Sequence, residues 1–334
     1  VKVTSWLPAA DGPDTDPTPN RPFIAYTQAG SRLDVTDSDF GYLGTDTSFG
    51  YGVSWGADTA GQALRSVFHN NLFGAYTSRA VGVTFQNNLF RNNARYGLDP
   101  HTNSRDLVIT NNEAYGNNTH GIIFSQGVTN SVIADNHTHD NGANGIMMDE
   151  TSDNNVIQNN ITEHNAGAGI VLQGSSGNHV IGNVVANNPI GIRVNANRLG
   201  VAVNNHVGGN QLSTNHTGIK VYNNTRNTTL GDNTIRDTQD TALALMDPTI
   251  SQSDSVINAY KAAVISKGTS TLHALSAQQV ARGIIVGSGA TAAIESGNIA
   301  ATEVGIAMHD NATLALSGSL TTIDGARKGV IVNG

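Results

Sequence analysis

Three side chains that can move a proton fall within six residues: Tyr96-Gly-Leu-Asp99-Pro-His101. A phenol, a carboxylate and an imidazole so close together are the ingredients of general acid–base chemistry. Pro100 stiffens the backbone between two of them. We read Tyr96, Asp99 and His101 as a candidate reacting centre. The neighbouring segments repeat the shape of this stretch without its chemistry, so the elements that position it are found by following the repeat.

Gly followed by apolar residues recurs at Gly52, Gly74, Gly97, Gly121, Gly145, Gly169, Gly191 and Gly218, at intervals of 22, 23, 24, 24, 24, 22 and 27. A second marker runs through Asn88, Asn112, Asn136, Asn160, Asn183, Asn210 and Asn233, spaced 24, 24, 24, 23, 27 and 23. Between the markers lie short β-branched runs such as Val132-Ile133-Ala134 and Val156-Ile157-Gln158, separated by Asn, Gly and Asp turns. Helical periodicity is absent. Coils of about 22–24 residues with these runs predict an all-β fold, a single-stranded right-handed parallel β-helix whose coils stack about 4.8 Å apart. The recurring Asn predicts an internal amide ladder, in preference to sugar contacts or sequons such as Asn136-His-Thr.

The whole chain, 1–334, reads as one such domain. Residues 1–30 form N-terminal strands around a Pro/Asp-rich loop at 9–21, and the pattern weakens between 248 and 280, where an insertion, a short helix or irregular coils are expected. It resumes at Gly283, Gly305 and Gly329. Solenoids need capped ends, and with no evident N-terminal cap the chain is expected to be a piece of a longer protein.

Stacking turns the repeat into columns. The fourth residue after each Gly is Ser78, His101, Ser125, Asp149, Gln173, Asn195 and Tyr222; the second is Tyr76, Asp99, Ile123, Met147, Val171, Arg193 and Lys220. The first and third are mostly aliphatic, as an interior requires. An outward strip therefore carries His101 and Asp99, with Tyr76 and Ser78 one coil before, Ser125 one after and Asp149 two after. His120 is expected to stack near Tyr96. Such a strip suits an extended linear polysaccharide.

Composition narrows the partners. The net charge of −8 argues against nucleic acid and anionic membranes, while leaving an acidic polysaccharide open, since only the charge along the groove matters there. No run approaches the roughly 18 apolar residues of a membrane span. The absence of Cys removes disulfides and thiolate metal sites. His137, His139 and His164 sit at Asn-rich turns with no compact ligand spacing, so no metal is expected there. No cofactor is expected; a structural Ca²⁺ held by turn Asp and backbone carbonyls remains compatible. The solenoid is expected to be monomeric.

Tyr96-Gly-Leu-Asp-Pro-His101 resembles the Tyr-Gly-Phe/Ile-Asp-Pro-His signature of the mannuronan (alginate) C5-epimerases. Tyr42-Leu-Gly-Thr-Asp-Thr-Ser, Tyr51-Gly-Val-Ser, His120-Gly-Ile-Ile-Phe-Ser and Asn136-His-Thr-His-Asp-Asn resemble segments of the periplasmic type in the same order, over roughly residues 30–180. The resemblance implies a right-handed parallel β-helix, a secreted or periplasmic location, and His101 and Tyr96 handling the C5 proton from opposite faces of a uronate ring. It implies that Asp99 positions His101 and that a cation neutralises the carboxylate. The periplasmic enzymes carry an Arg where this chain has Gln126, and another where it has Asn103, with Arg105 two further on. Arg65 and Arg79 are the basic residues nearest the place of the Lys in secreted members. The Gly-Gly-x-Gly-x-Asp calcium repeats of the secreted enzymes' accessory modules are missing.

Removing a proton α to a carboxylate needs a base at C5 and donors that stabilise the enediolate. Reprotonation on the other face epimerises; loss of the 4-O-glycosyl group cleaves. A polysaccharide lyase is therefore the second reading. An inverting hydrolase using Asp99 and Asp149 and a non-catalytic carbohydrate-binding β-helix are the others.

Overall fold

The computed structural model describes residues 1–16, 21–318 and 321–332; residues 17–20 of the Pro/Asp-rich loop lie outside them. Two units are distinguished, Val1–Gly167 and Ala168–Gly334. Apart from the antiparallel pair Trp6–Leu7 and Gly12–Pro13, each is built from strands that pair in parallel with the equivalent strands on neighbouring coils.

In the first unit each coil contributes three strands. The coil of the Tyr-Gly-Leu-Asp-Pro-His stretch has Leu98–His101, Val108–Thr110 and Glu113–Tyr115. Leu98–His101 pairs with Ala75–Ser78, so Tyr76 stands over Asp99 and Ser78 over His101, and a bridge continues the latter column to Ser125. The predicted register holds. Inward-facing residues form stacks that bury the core: Phe40, Phe68 and Phe90 lie ring on ring at 5.3 and 5.0 Å, and Phe85 is followed by Ile109, Ile133 and Ile157 on successive coils. The few aromatics are thus concentrated in the first coils, and β-branched residues take over after them.

The corners explain the Asn. Asn88, Asn112, Asn136 and Asn160 are buried; each Nδ2 up to Asn136 donates to the Oδ1 of the next, at 2.9–3.0 Å. The backbone N–H groups of Asn88, Asn112 and Asn136 donate to the same oxygens. A second ladder, Asn93, Asn117, Asn141 and Asn165, runs at the next corner and was not anticipated. Each ladder Asn follows a residue with φ near +55°, as at Asn87, Asn111, Asp135 and Asp140. Asn, Asp and Gly tolerate that left-handed turn best, so these two-residue corners are written as Asn-Asn, Asp-Asn or Gly-Asn, with His164-Asn165 the exception. Burial of Asn136 excludes it as a glycosylation acceptor. The Gly column has a separate cause: a Cβ on Gly97 would lie 2.4 Å from the Gly121 carbonyl oxygen.

In the second unit Ala168–Gln173, Ile190–Asn195 and Thr217–Tyr222 stack in register. The stretch 248–280 is no insertion or helix. It forms Thr249–Gln252, Ser255–Ile265, Thr269–His273 and the start of Leu275–Val286, all paired in parallel with neighbouring coils. The signal weakened because Thr, Ser and Ala replace Gly and Asn while the stacking persists. Here Thr234–Leu245, Ser255–Ile265 and Leu275–Val286 each run through a corner as one strand, with the left-handed residue at Asp237, Asn258 and Gln279. The ladder Asn183, Asn210, Asn233 ends on Asp254.

Candidate active site

Leu98–His101 points Leu98 and Pro100 into the core and leaves Asp99 and His101 on the outer face. A cavity of about 220 Å³ opens there, lined by Tyr51, Phe73, Tyr76, Arg95, Tyr96, Asp99, His101 and Ser125. All three proton-moving residues meet in it, with Tyr76 and Ser125 as expected.

His101 is half-buried, and burial lowers its pKa from the ordinary 6.5. Its Nδ1 lies 2.5 Å from Thr102 Oγ1, whose hydroxyl donates to Gln126 Oε1 at 3.3 Å. In the tautomer whose Nδ1–H donates to Thr102, Nε2 keeps its lone pair free to act as a base. The imidazole is therefore held as a neutral base. Gln126 acts at one remove, through Thr102, and no Asp99–His101 hydrogen bond is present among the described residues, so Thr102 does the positioning that the resemblance implies for Asp99. One consequence is measurable: the acid limb of the pH profile should have its midpoint below pH 6.5, because the base stays neutral until the lowered pKa is crossed.

Asp99 is 1% exposed, and its Oδ1 has no hydrogen-bond partner among the described residues. Desolvation pushes its carboxyl well above the usual range, favouring the protonated acid. Tyr76 beside it is pushed up to about 12, first by burial and then by Asp99. Burial also raises Tyr96, followed by the nearby Asp99. Both phenols therefore keep their protons.

Tyr96 belongs to an aromatic column formed by the residue before each Gly. Tyr51 stacks on Phe73 at 4.5 Å, Phe73 meets Tyr96 at 4.9 Å, and Tyr96 stacks on His120 at 5.5 Å with planes 7° apart. His120 Nδ1 accepts from the Asn144 backbone N–H at 3.1 Å. His120 thus supports Tyr96 without lining the cavity. The aromatic before each Gly was visible in the repeat and is the signal by which Tyr51 and Phe73 could have been found.

The cation in the cavity is Arg95, which sequence reasoning passed over. Its Nη2 holds Asp46 Oδ2 at 3.0 Å and its guanidinium lies 5.8 Å from the Phe73 ring centre. Both partners of the ion pair are about half-exposed, so a substrate carboxylate can replace Asp46 at small cost. Arg65 is elsewhere: it makes a two-pronged pair with Asp37 at 2.8 Å and lines a different groove, with Val1 and Lys2. Its turn position, at φ +47°, aims it away from the strip. Arg79 does not line the cavity; its backbone N–H donates to the Thr102 carbonyl at 2.8 Å. Asp149 does not line the cavity; it follows Met148 in the column of His101 and Ser125, and its Oδ1 accepts the Glu150 N–H at 3.0 Å. Asp99 and Asp149 thus stand in different columns, one of them deeply buried, which does not suit an inverting carboxylate pair.

A family profile described as "Periplasmic copper-binding protein (NosD)" matches residues 44–202. The mannuronan C5-epimerase of Pseudomonas fluorescens is 32% identical over 146 residues, covering 39% of this chain and 27% of the relative. The mannuronan C5-epimerase AlgG of Azotobacter vinelandii is 33% identical over 146 residues, covering 39% and 28%. The chain thus spans about a quarter of the length of these relatives. Among solved structures, a point variant of the periplasmic alginate epimerase AlgG superposes with a TM-score of 0.68 at 25% identity, over 84% of this chain and 67% of that one. In this shared stretch of sequence and in its fold, the chain is similar to the mannuronan C5-epimerases.

Proposed function

We propose that this chain epimerises uronate residues of an alginate-like polymer at C5, outside the cytoplasm. The observation that carries the reading is the convergence of a neutral imidazole, a protonated phenol and a cation on one cavity of the scale of a single sugar ring. Arg95 exchanges Asp46 for the C5 carboxylate and draws off charge as the enediolate forms. His101 Nε2 takes the C5 proton. Tyr96, whose burial disfavours the phenolate, serves as acid and delivers a proton to the other face. Asp99, whose burial favours the neutral acid over the carboxylate, is placed to offer a hydrogen bond where a full negative charge would repel an anionic substrate. The aromatic column gives sugar rings an apolar surface along successive coils.

The test is incubation with polymannuronate in D₂O, read by proton NMR for deuterium and inversion at C5 and by ultraviolet absorbance for unsaturated ends. Inverted, deuterated residues without unsaturation establish the epimerase. Unsaturated ends with falling polymer length make it a lyase, and silence with binding retained leaves a carbohydrate-binding β-helix. Arg95→Ala is expected to raise KM at least about tenfold and to lower kcat/KM by about two orders of magnitude, as loss of a charge-stabilising donor does. Arg65→Ala, measured alongside, should change neither.

A further inference from the structure

Away from the cavity, on the strands Glu113–Tyr115 and His137–His139, a second group of side chains gathers that the proposed reaction does not use. These strands pair with Glu113 opposite His137 and Tyr115 opposite His139. In sequence Glu113 lies 24 and 26 residues before the two histidines and looks unrelated to them; the coil period brings them together. One ligand atom from each of Glu113, His137 and His139 lies within 4.8 Å of the other two. Glu113 Oε1 and His139 Nε2 are 3.1 Å apart. The imidazoles are 4.3 Å apart, centre to centre.

We propose that Glu113, His137 and His139 bind a divalent transition-metal ion, of which Zn²⁺ is the type, that staples two adjacent coils. Two imidazoles and a carboxylate are the donor set of such ions, with the fourth position left to water. Bound at about 2.0–2.1 Å, tetrahedral ligand atoms sit roughly 3.3 Å from each other, so the Glu113–His139 pair already has the spacing and His137 closes by a rotation of its ring. The support around the ligands is in place. Asp140 Oδ2 takes His139 Nδ1 at 2.7 Å, fixing the tautomer that presents Nε2 to the ion. Tyr115 stacks on the His139 ring at 4.9 Å with planes 11° apart, which holds its orientation. Glu163 Oε1 lies 3.0 Å from His137 Nε2 and supplies a further carboxylate on the next coil. An open groove of about 520 Å³, lined in part by Glu113 and His137, gives access from solvent.

The test uses the chain freed of any polyhistidine tag and stripped with chelator, titrated with Zn²⁺ by calorimetry and followed by thermal unfolding. One ion per chain, with a Kd below about 10 μM, and a rise in Tm with added Zn²⁺ are expected. His137→Ala and His139→Ala should each weaken binding at least about tenfold and remove the rise in Tm. With Cu²⁺ as the probe, electron paramagnetic resonance should show two coupled imidazole nitrogens in the wild type and one in each variant. Both histidines face outward, so the variants should fold, and circular dichroism checks this. Zn²⁺ that does not bind, that binds equally well to the double variant, or that binds without raising Tm would overturn the proposal.

Discussion

His101→Ala is expected to lower C5 proton exchange by about a thousandfold, within the range lost when a positioned general base is removed. Binding of the polymer should change little, because Arg95 and the aromatic column remain. The variant should fold, since the imidazole's polar partner is the surface hydroxyl of Thr102. Tyr96→Phe separates the two faces. If Tyr96 is the acid and His101 the base, this variant should still wash deuterium into C5 from the His101 side, with retained configuration, while inversion falls by a similar factor. A variant that loses exchange and inversion together would instead make Tyr96 the base. Wild type, His101→Ala and Tyr96→Phe followed in one NMR time course decide it.

The second large effect is on stability. Asn136 accepts from the backbone N–H and Nδ2 of Asn112 at 2.9 Å, and donates to the carbonyls of Ile109 and Ala134 and to Asn160 Oδ1, all at 2.9 Å. Asn136→Ala strands donors above and acceptors below in a site only 1% exposed. At roughly 1–3 kcal/mol for each buried group left without a partner, and with partial relaxation, the expected loss is about 3–5 kcal/mol. Denaturant unfolding with an unchanged m-value would show it. Asn136→Asp offers a control, since it keeps the acceptors and removes the donors. A loss below about 1 kcal/mol for Asn136→Ala would mean that water or relaxation replaces the ladder.

The two columns of the site were legible because period and alternation are one-dimensional facts: once Gly74 and Gly97 are aligned, Tyr76 must stand over Asp99 and Ser78 over His101. What escaped depends on side-chain direction and on length. Arg95 lies beside the signature, yet nothing in its position says that it turns to Asp46 at the cavity and not outward. Arg65 is the basic residue nearest the place of the secreted members' Lys, yet its side chain pairs with Asp37. His137 and His139 looked like turn residues because ligand spacing was sought along the chain, whereas their partner Glu113 is a full coil away. The stretch 248–280 hides its coils because its left-handed corners fall on Ser253, Asn258, Ala274 and Gln279, so the Gly and Asn markers lapse while the hydrogen bonds persist.

The ladder of the second unit has a polarity. Asn183 donates through Nδ2 to Asn210, Asn210 to Asn233, and Asn233 to Asp254, so every amide in the row points its N–H end the same way. Aligned amide dipoles add, as peptide dipoles do along an α-helix, and leave a partial positive charge where the row ends. The group found there is a carboxyl, which accepts from the Asn233 backbone and side chain on Oδ1 and from Ser251 on Oδ2 at 2.6 Å. Asp254 thus stands to this row as an acidic N-cap stands to a helix, closing a macrodipole to which side-chain amides contribute alongside the backbone N–H groups.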